Sequence, residues 1–368
     1  TSEEIFSEQY GITITNTVID SNSAMYDGGG FFIDGVSPIL SNTTVSNNTT
    51  DGYGGGIYIE SNSAPLLSAV TVSENSSNDD GGGLYVSWNS SLTWNGGTIN
   101  NNRTPGEGGG LFSDGALLSL TGLTVAENSA GNSGGGLCIY AQSPFEQPEG
   151  AQGLPEDETV IDSCIIVRNR AVAGGGIAVN GMVIKTMPAA MPKTAGLIPG
   201  FLSIAHSQID SNTADFFGGG VALLGAPITL LSSSISGNQS TISGGGIASI
   251  MSLAWLSNLT VINNISGQGG GVYLTQSQVL FDSSSVRGNT AYSDGGGLYI
   301  HEVYTILYNL VIDSNMASGN GGGMYMGDGL ISMDSSVVNT NTAEGNGGGI
   351  AMYASAPQLA NINVSRNT

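Results

Sequence analysis

Along the whole chain a branched apolar residue is followed by two polar residues and an asparagine. A small residue or two, a polar turn, three glycines and an apolar–x–apolar segment then complete the pattern. Val338-Asn339-Thr340-Asn341-Thr342-Ala343, continued by Gly347-Gly348-Gly349-Ile350-Ala351-Met352, is one full copy. The signature [Val/Ile]-x-x-Asn recurs thirteen times, placing asparagine at Asn22, Asn48, Asn75, Asn102, Asn128, Asn169, Asn212, Asn238, Asn264, Asn289, Asn315, Asn341 and Asn367. Glycine triplets follow twelve of these, from Gly28-Gly29-Gly30 to Gly347-Gly348-Gly349, and most lie 25 to 27 residues apart. Two intervals, Gly136 to Gly176 and Gly176 to Gly220, are longer and hold insertions at about 143–159 and 181–200.

A unit of about 26 residues with no helical periodicity, rich in Val, Ile, Thr, Ser, Asn and Gly, predicts one coil of a parallel β-solenoid. The expected fold is therefore all-β: a parallel β-helix of about 13 coils, forming one domain over 1–368, whose right hand is implied by the resemblance described below. Glycine and asparagine tolerate positive φ and suit sharp corners between short strands. Stacked coils would bring the asparagines into a column able to hydrogen-bond from coil to coil, as amide ladders do. A disordered Gly/Ser linker would not lock a Val/Ile column to an Asn column through every copy.

After each triplet, segments such as Ile57-Tyr58-Ile59 and Leu298-Tyr299-Ile300 put the first and third residues inward and the middle one outward. The outward column contains an aromatic stripe: Phe6, Phe32, Tyr58, Tyr85, Phe112, Tyr273, Tyr299 and Tyr325. Such a stripe could stack sugars or dock a partner, or its rings could simply stack on one another and stabilise the sheet. Cys138 shares that outward column while Cys164 takes an inward slot, which argues against a disulfide. The threonines show no continuous column of the kind a flat ice-binding face needs.

Net charge is −22, from 29 acidic and 7 basic residues, which disfavours nucleic acid and anionic membranes as partners. No segment is long and apolar enough for membrane insertion. Few lysines and abundant Asn, Ser, Thr and Gly point to an extracellular or cell-surface protein. Asn-x-Ser/Thr triplets begin at Asn89 and Asn258, and also at the column residues Asn75 and Asn238, where burial would oppose glycosylation. The scattered carboxylates could bridge Ca2+, but no calcium-loop spacing is present, and no cofactor or metal site is expected.

The two histidines, His206 and His301, lie several coils apart and cannot form a dyad. No signature of a catalytic residue set occurs. The best place for an anionic sugar is Arg168 and Arg170 flanking Asn169, with Asp162 on the same coil and Lys185 in the second insertion. The first insertion is acidic, the second carries both lysines (Lys185 and Lys193), and loops on a rigid scaffold are the default location of function.

At the level of the glycine triplet and the asparagine column the chain resembles the chlamydial polymorphic outer-membrane protein repeats, with their GGA[ILV] and FxxN motifs. Here glycine replaces the alanine and a branched aliphatic replaces the phenylalanine, over nearly the whole chain. The resemblance implies a right-handed β-helix at a cell surface in an adhesive or structural role.

Ile5-Phe6-Ser7 precedes Asn22 as Leu111-Phe112-Ser113 precedes Asn128, so both ends fall at the same corner of the repeat. An unsealed coil end invites pairing, and the expected partner is a second copy, head to tail through the terminal coils. The leading expectation is a non-catalytic structural protein forming a filament or an adhesin stalk. The alternative is a β-helix that binds or cleaves carbohydrate, with surface glycans as ligands.

Overall fold

The computed structural model describes residues 11–141, 159–181 and 202–368, and all its regular structure is strand. The insertions at about 143–159 and 181–200, with Lys185 and Lys193, lie almost wholly outside the described residues, as does Phe6. Three parallel sheets run the length of the molecule, one of 23 strands and two of 12 strands each. The coil from 253 to 275 illustrates the path. Leu253–Ser257 and Thr260–Ile262 lie in the large sheet, Ile265–Ser266 in the second and Val272–Thr275 in the third. Every strand pairs with its counterpart one repeat away, for example Val272 with Leu298 and Thr260 with Ser285. The result is a solenoid of about twelve turns, because thirteen asparagines bound twelve intervals. At ~4.8 Å per coil the rod is on the order of 60 Å long.

The interior is built of single-residue columns. Val45, Val72, Ile99, Val125, Ile166, Ile209, Ile235, Val261, Val286, Ile312 and Val338 stack in register, all fully buried. A second fully buried column runs through Leu67, Trp94 and Leu120. Trp94 fits because Gly97 stands on its own coil where the neighbouring coils carry Val70 and Leu123. Close packing demands such matching of large to small.

The asparagine column is an unbroken ladder. In each of its twelve steps the side-chain Nδ2 donates to Oδ1 of the next asparagine, at 2.9–3.0 Å. The same Oδ1 accepts the backbone N–H of the asparagine before it, as in Asn212 to Asn238 at 2.9 Å. The second Nδ2 proton goes to a carbonyl of the preceding coil, Ile209 for Asn238 and Val261 for Asn289. That carbonyl belongs to the Val/Ile of the signature, so the motif is one hydrogen-bonded unit spread over two coils. An interior asparagine thus uses both donors and both acceptor sites of its amide, which is what permits its complete burial.

The corner is not at the asparagine, as its tolerance of positive φ suggested. Positive φ falls on the residue just before it: Ser21, Asn47, Glu74, Asn101, Glu127, Arg168, Ser211, Gly237, Asn263, Gly288, Ser314, Thr340 and Arg366. The asparagine itself must point inward, so the left-handed turn sits one residue earlier, where side chains are solvated and variable. The three glycines have separate reasons. The first of each triplet takes φ between +58° and +70°. A Cβ on the second would overlap backbone carbonyls of the next coil, and on the third it would meet the ladder amide and a carbonyl.

Two contrasts follow. Asn212→Ala removes an interior rung and strands buried partners on both sides, so stability to urea should fall by about 3 kcal/mol; Asn367→Ala, at a half-buried rung, should cost about 1 kcal/mol or less. Equal losses would contradict the ladder's energetic role. Gly219→Ala would press a methyl onto the carbonyls of Gln239 and Gly245 and should prevent stable folding. Gly237→Asn, at an open corner where Asn47 and Asn263 stand in other coils, should leave the melting temperature nearly unchanged.

Candidate functional site

The outward aromatic residues form two rows on the third sheet. Phe32, Tyr58, Tyr85 and Phe112 stack with centroids 5.4, 5.1 and 5.1 Å apart. Tyr273, Tyr299 and Tyr325 stack at 5.0 and 4.9 Å. Strand register sets one ring above the next, so the faces are used by neighbouring rings and only edges meet solvent. Tyr58, Tyr85 and Phe112 are consequently buried even though they point away from the core. The stripe is therefore a ring ladder, which favours its self-stacking reading over a platform for sugar faces. Between the rows Cys138, Ala178, Ala222 and Ala248 are fully buried.

Carboxylates flank the first row. On one side the residue preceding each triplet contributes Asp27, Tyr53, Asp80 and Glu107, and on the other the strand ends contribute Asp34, Glu60, Asp114 and Tyr140. The Tyr58 hydroxyl donates to Glu60 at 3.3 Å and that of Tyr85 to Asp114 at 3.4 Å. Asp80 accepts the backbone N–H of Glu107 at 2.7 Å. Burial, and the negative charge of Asp80, raise the pKa of Glu107; burial likewise raises that of Asp80. Tyr85 and Tyr140 are pushed up by burial and by these same carboxylates. Cys138 lies 3.8 Å from Glu107 Oε2 and burial pushes its thiol well up, so it is an unreactive thiol. It and Cys164 are both free.

This acidic, aromatic face is the most chemically loaded part of the surface, and no sequence motif marks it. Its aromatic row was legible in the repeat, but the carboxylates beside it occupy variable positions, and only the strand register shows that they align. The same holds for a second outward apolar strip, on the large sheet, where Leu253, Trp255, Leu280, Tyr304 and Ile306 stand on successive coils. Trp255 anchors that strip by donating from Nε1 to Asp282 at 3.1 Å. Register also places Thr44, Thr71, Thr98 and Thr124 in one continuous column. That corrects the expectation of none, although the column ends at Val18 and Ile165.

Arg168 and Arg170 do not converge. Arg168 reaches back one coil to Glu127 at 2.6 Å, and Arg170 reaches forward to Asp215 at 3.2 Å. Both pairs are exposed, so each is worth little, and neither guanidinium is directed at a shared anion. Arg168 stands at the left-handed corner and Arg170 opens the next strand, and their partners lie in opposite coils; Lys185, the third member of the expected ligand face, lies outside the described residues. Asp162 is engaged by His206 Nδ1 at 2.7 Å, which lowers its pKa. The column residues Asn75 and Asn238 of the glycosylation triplets are fully buried.

No group of metal-ligating side chains that could hold an ion occurs among the described residues, and no helix among them is long and apolar enough to cross a membrane. Coils, ladder and glycine corners define a parallel β-solenoid. A family model described as a right-handed β-helix region matches residues 4–148 and 200–368, and the chain belongs to that family. No curated protein and no solved structure matches the chain.

The raised carboxyls carry a definite sign. A carboxyl whose folded pKa is raised stabilises the native state when protonated; that contribution is present below the unfolded pKa and fades as pH rises through the raised value. Asp162 has the opposite sign, contributing above its ordinary 3.8 and losing that contribution as pH falls through the lowered value. The melting temperature should therefore fall as pH rises above the ordinary carboxyl range. Glu107→Gln should raise the pH 7 value and flatten the slope; a slope parallel to the parent's would show that Glu107 is not strained in its charged form.

Proposed function

We propose that this chain is a non-catalytic structural rod of the extracellular or cell-surface kind, acting as a filament subunit or an adhesin stalk. The observation that supports this most is where the repeat's polar chemistry goes. The buried asparagine amides bond to the next coil, and the outward tyrosines of the third sheet stack on each other. Columns that bond or stack on themselves in this way serve coil-to-coil cohesion, leaving the variable corners for recognition. The likeness of the motifs to the chlamydial surface repeats supports the same placement.

The ladder is also directional. Along the ladder each Nδ2 donates to the Oδ1 of the asparagine one coil toward the C-terminus, so a coil added at Asn367 would take the contacts of any interior coil. Such a coil could belong to this chain or to a second copy, and head-to-tail contact between copies is open-ended. Electron microscopy at neutral pH should show filaments whose length grows with protein concentration. Isolated rods on the order of 60 Å at every concentration would refute end-to-end assembly.

A second reading, a β-helix that binds or cleaves carbohydrate, is favoured by the half-buried Asp80 and Glu107 beside the first aromatic row. Binding to a glycan array that disappears with Glu107→Gln or on deletion of 143–159 would support it. A profile untouched by both changes would leave the structural reading.

A further inference from the structure

We infer that the stacked tyrosines of the third sheet are sites of oxidative cross-linking, in which ring-to-ring bonds between adjacent coils staple the solenoid covalently. The two tyrosine groups are Tyr58–Tyr85 and Tyr273–Tyr299–Tyr325. Their centroids stand 5.1 Å apart in the first, and 5.0 and 4.9 Å in the second, with interplanar angles of 20°, 11° and 7°. Parallel register places each ring directly over its counterpart, as in Tyr273 to Tyr299 and Tyr299 to Tyr325. Hydroxyls therefore lie on the same side, and the carbons ortho to them face one another. Because the new bond lies in the plane of both rings, coupling requires the two rings to swing out of the stack about their side-chain torsions until the ortho edges meet.

The chemistry balances with a peroxide oxidant acting through a peroxidase. Each phenol gives up one electron and one proton to become a phenoxyl radical. Two radicals join ortho carbon to ortho carbon, and each ring returns its ortho hydrogen to oxygen to regain aromaticity. Two tyrosines and one hydrogen peroxide thus yield one dityrosine and two waters. Proton acceptors stand in place in the first pair, where Tyr58 donates to Glu60 and Tyr85 to Asp114. These phenols stay protonated at neutral pH, because burial raises the pKa of Tyr299 to about 12 and that of Tyr58 further, so electron and proton must leave together.

Phe32 and Phe112 close the first row on either side and carry no phenol, but Tyr53 flanks the row 4.9 Å from Tyr85 at 52°, so Tyr85 can couple to Tyr58 or to Tyr53. In the second row Tyr299 is the shared middle ring. It can couple to Tyr273 or to Tyr325 but not to both through one radical, so that row yields one staple per oxidation event.

The test uses the full chain at high dilution, oxidised with a photoactivated ruthenium complex and persulfate, small enough to reach ring edges. Dityrosine fluorescence and peptide mass spectrometry then locate the links. The expected products join Tyr85 to Tyr58 or Tyr53, and Tyr299 to Tyr273 or Tyr325, each two hydrogens lighter than its parent peptides. Tyr299→Phe keeps the stacked ring and hence the fold; it should abolish the second set and leave the Tyr85 links intact. Unfolding in urea before oxidation should erase the selectivity. Links confined to the exposed Tyr26, Tyr292 and Tyr353, or an unchanged pairing pattern in urea, would overturn the inference.

Discussion

One side-chain amide, buried in every interior coil and bonded in both axial directions, governs this architecture. A primary amide in a dry interior is tolerated only when both donors and the carbonyl lone pairs are matched. The solenoid meets that condition by translation: each asparagine completes the one before it and is completed by the one after. The geometry works at one axial spacing only, the spacing of β-strands across a sheet. The glycines follow from it, since the third of each triplet lies against the amide and has no room for a Cβ. The Val/Ile of the signature follows too, because it fills the core while its carbonyl receives the amide's second proton.

Against this uniform inside, the outside is free to differ coil by coil. The corner residue before each asparagine ranges over Ser, Asn, Glu, Arg, Thr and Gly, because its side chain points to solvent and any residue that accepts a left-handed φ will serve. The outward middle residue of the third sheet is aromatic in two runs, with Cys138 and the alanines between them. Function in such a fold has to be written in these variable columns. The acidic aromatic face around Tyr85 and Glu107 and the strip around Trp255 are two places where these columns take on a chemical character of their own.

The coil, its period, the inward columns and the existence of the ladder were legible in the sequence, because each rests on a residue type repeated at fixed spacing. The position of the corner was not. Asparagine is common both at left-handed corners and in ladders, and composition alone cannot separate Asn48 from its neighbour Asn47. Arg168 and Arg170 misled for a related reason: adjacency to one inward residue suggested convergence, whereas Arg168 stands at the left-handed corner and Arg170 opens the next strand, and their carboxylate partners lie in opposite coils. The Asp80–Glu107 contact was invisible because it joins residues a full coil apart at unconserved positions of the repeat.

The central claim is that the asparagine amides, and not the hydrophobic columns alone, lock coil to coil. Hydrogen exchange of the asparagine side-chain amide protons, followed by NMR, tests it most directly. The account predicts that the interior rungs from Asn48 to Asn341 exchange as slowly as the strand backbone amides beside them, with Asn22 and Asn367 faster. Side-chain protons exchanging at the rate of exposed amides, while the backbone stays protected, would show that the ladder decorates the fold and does not hold it.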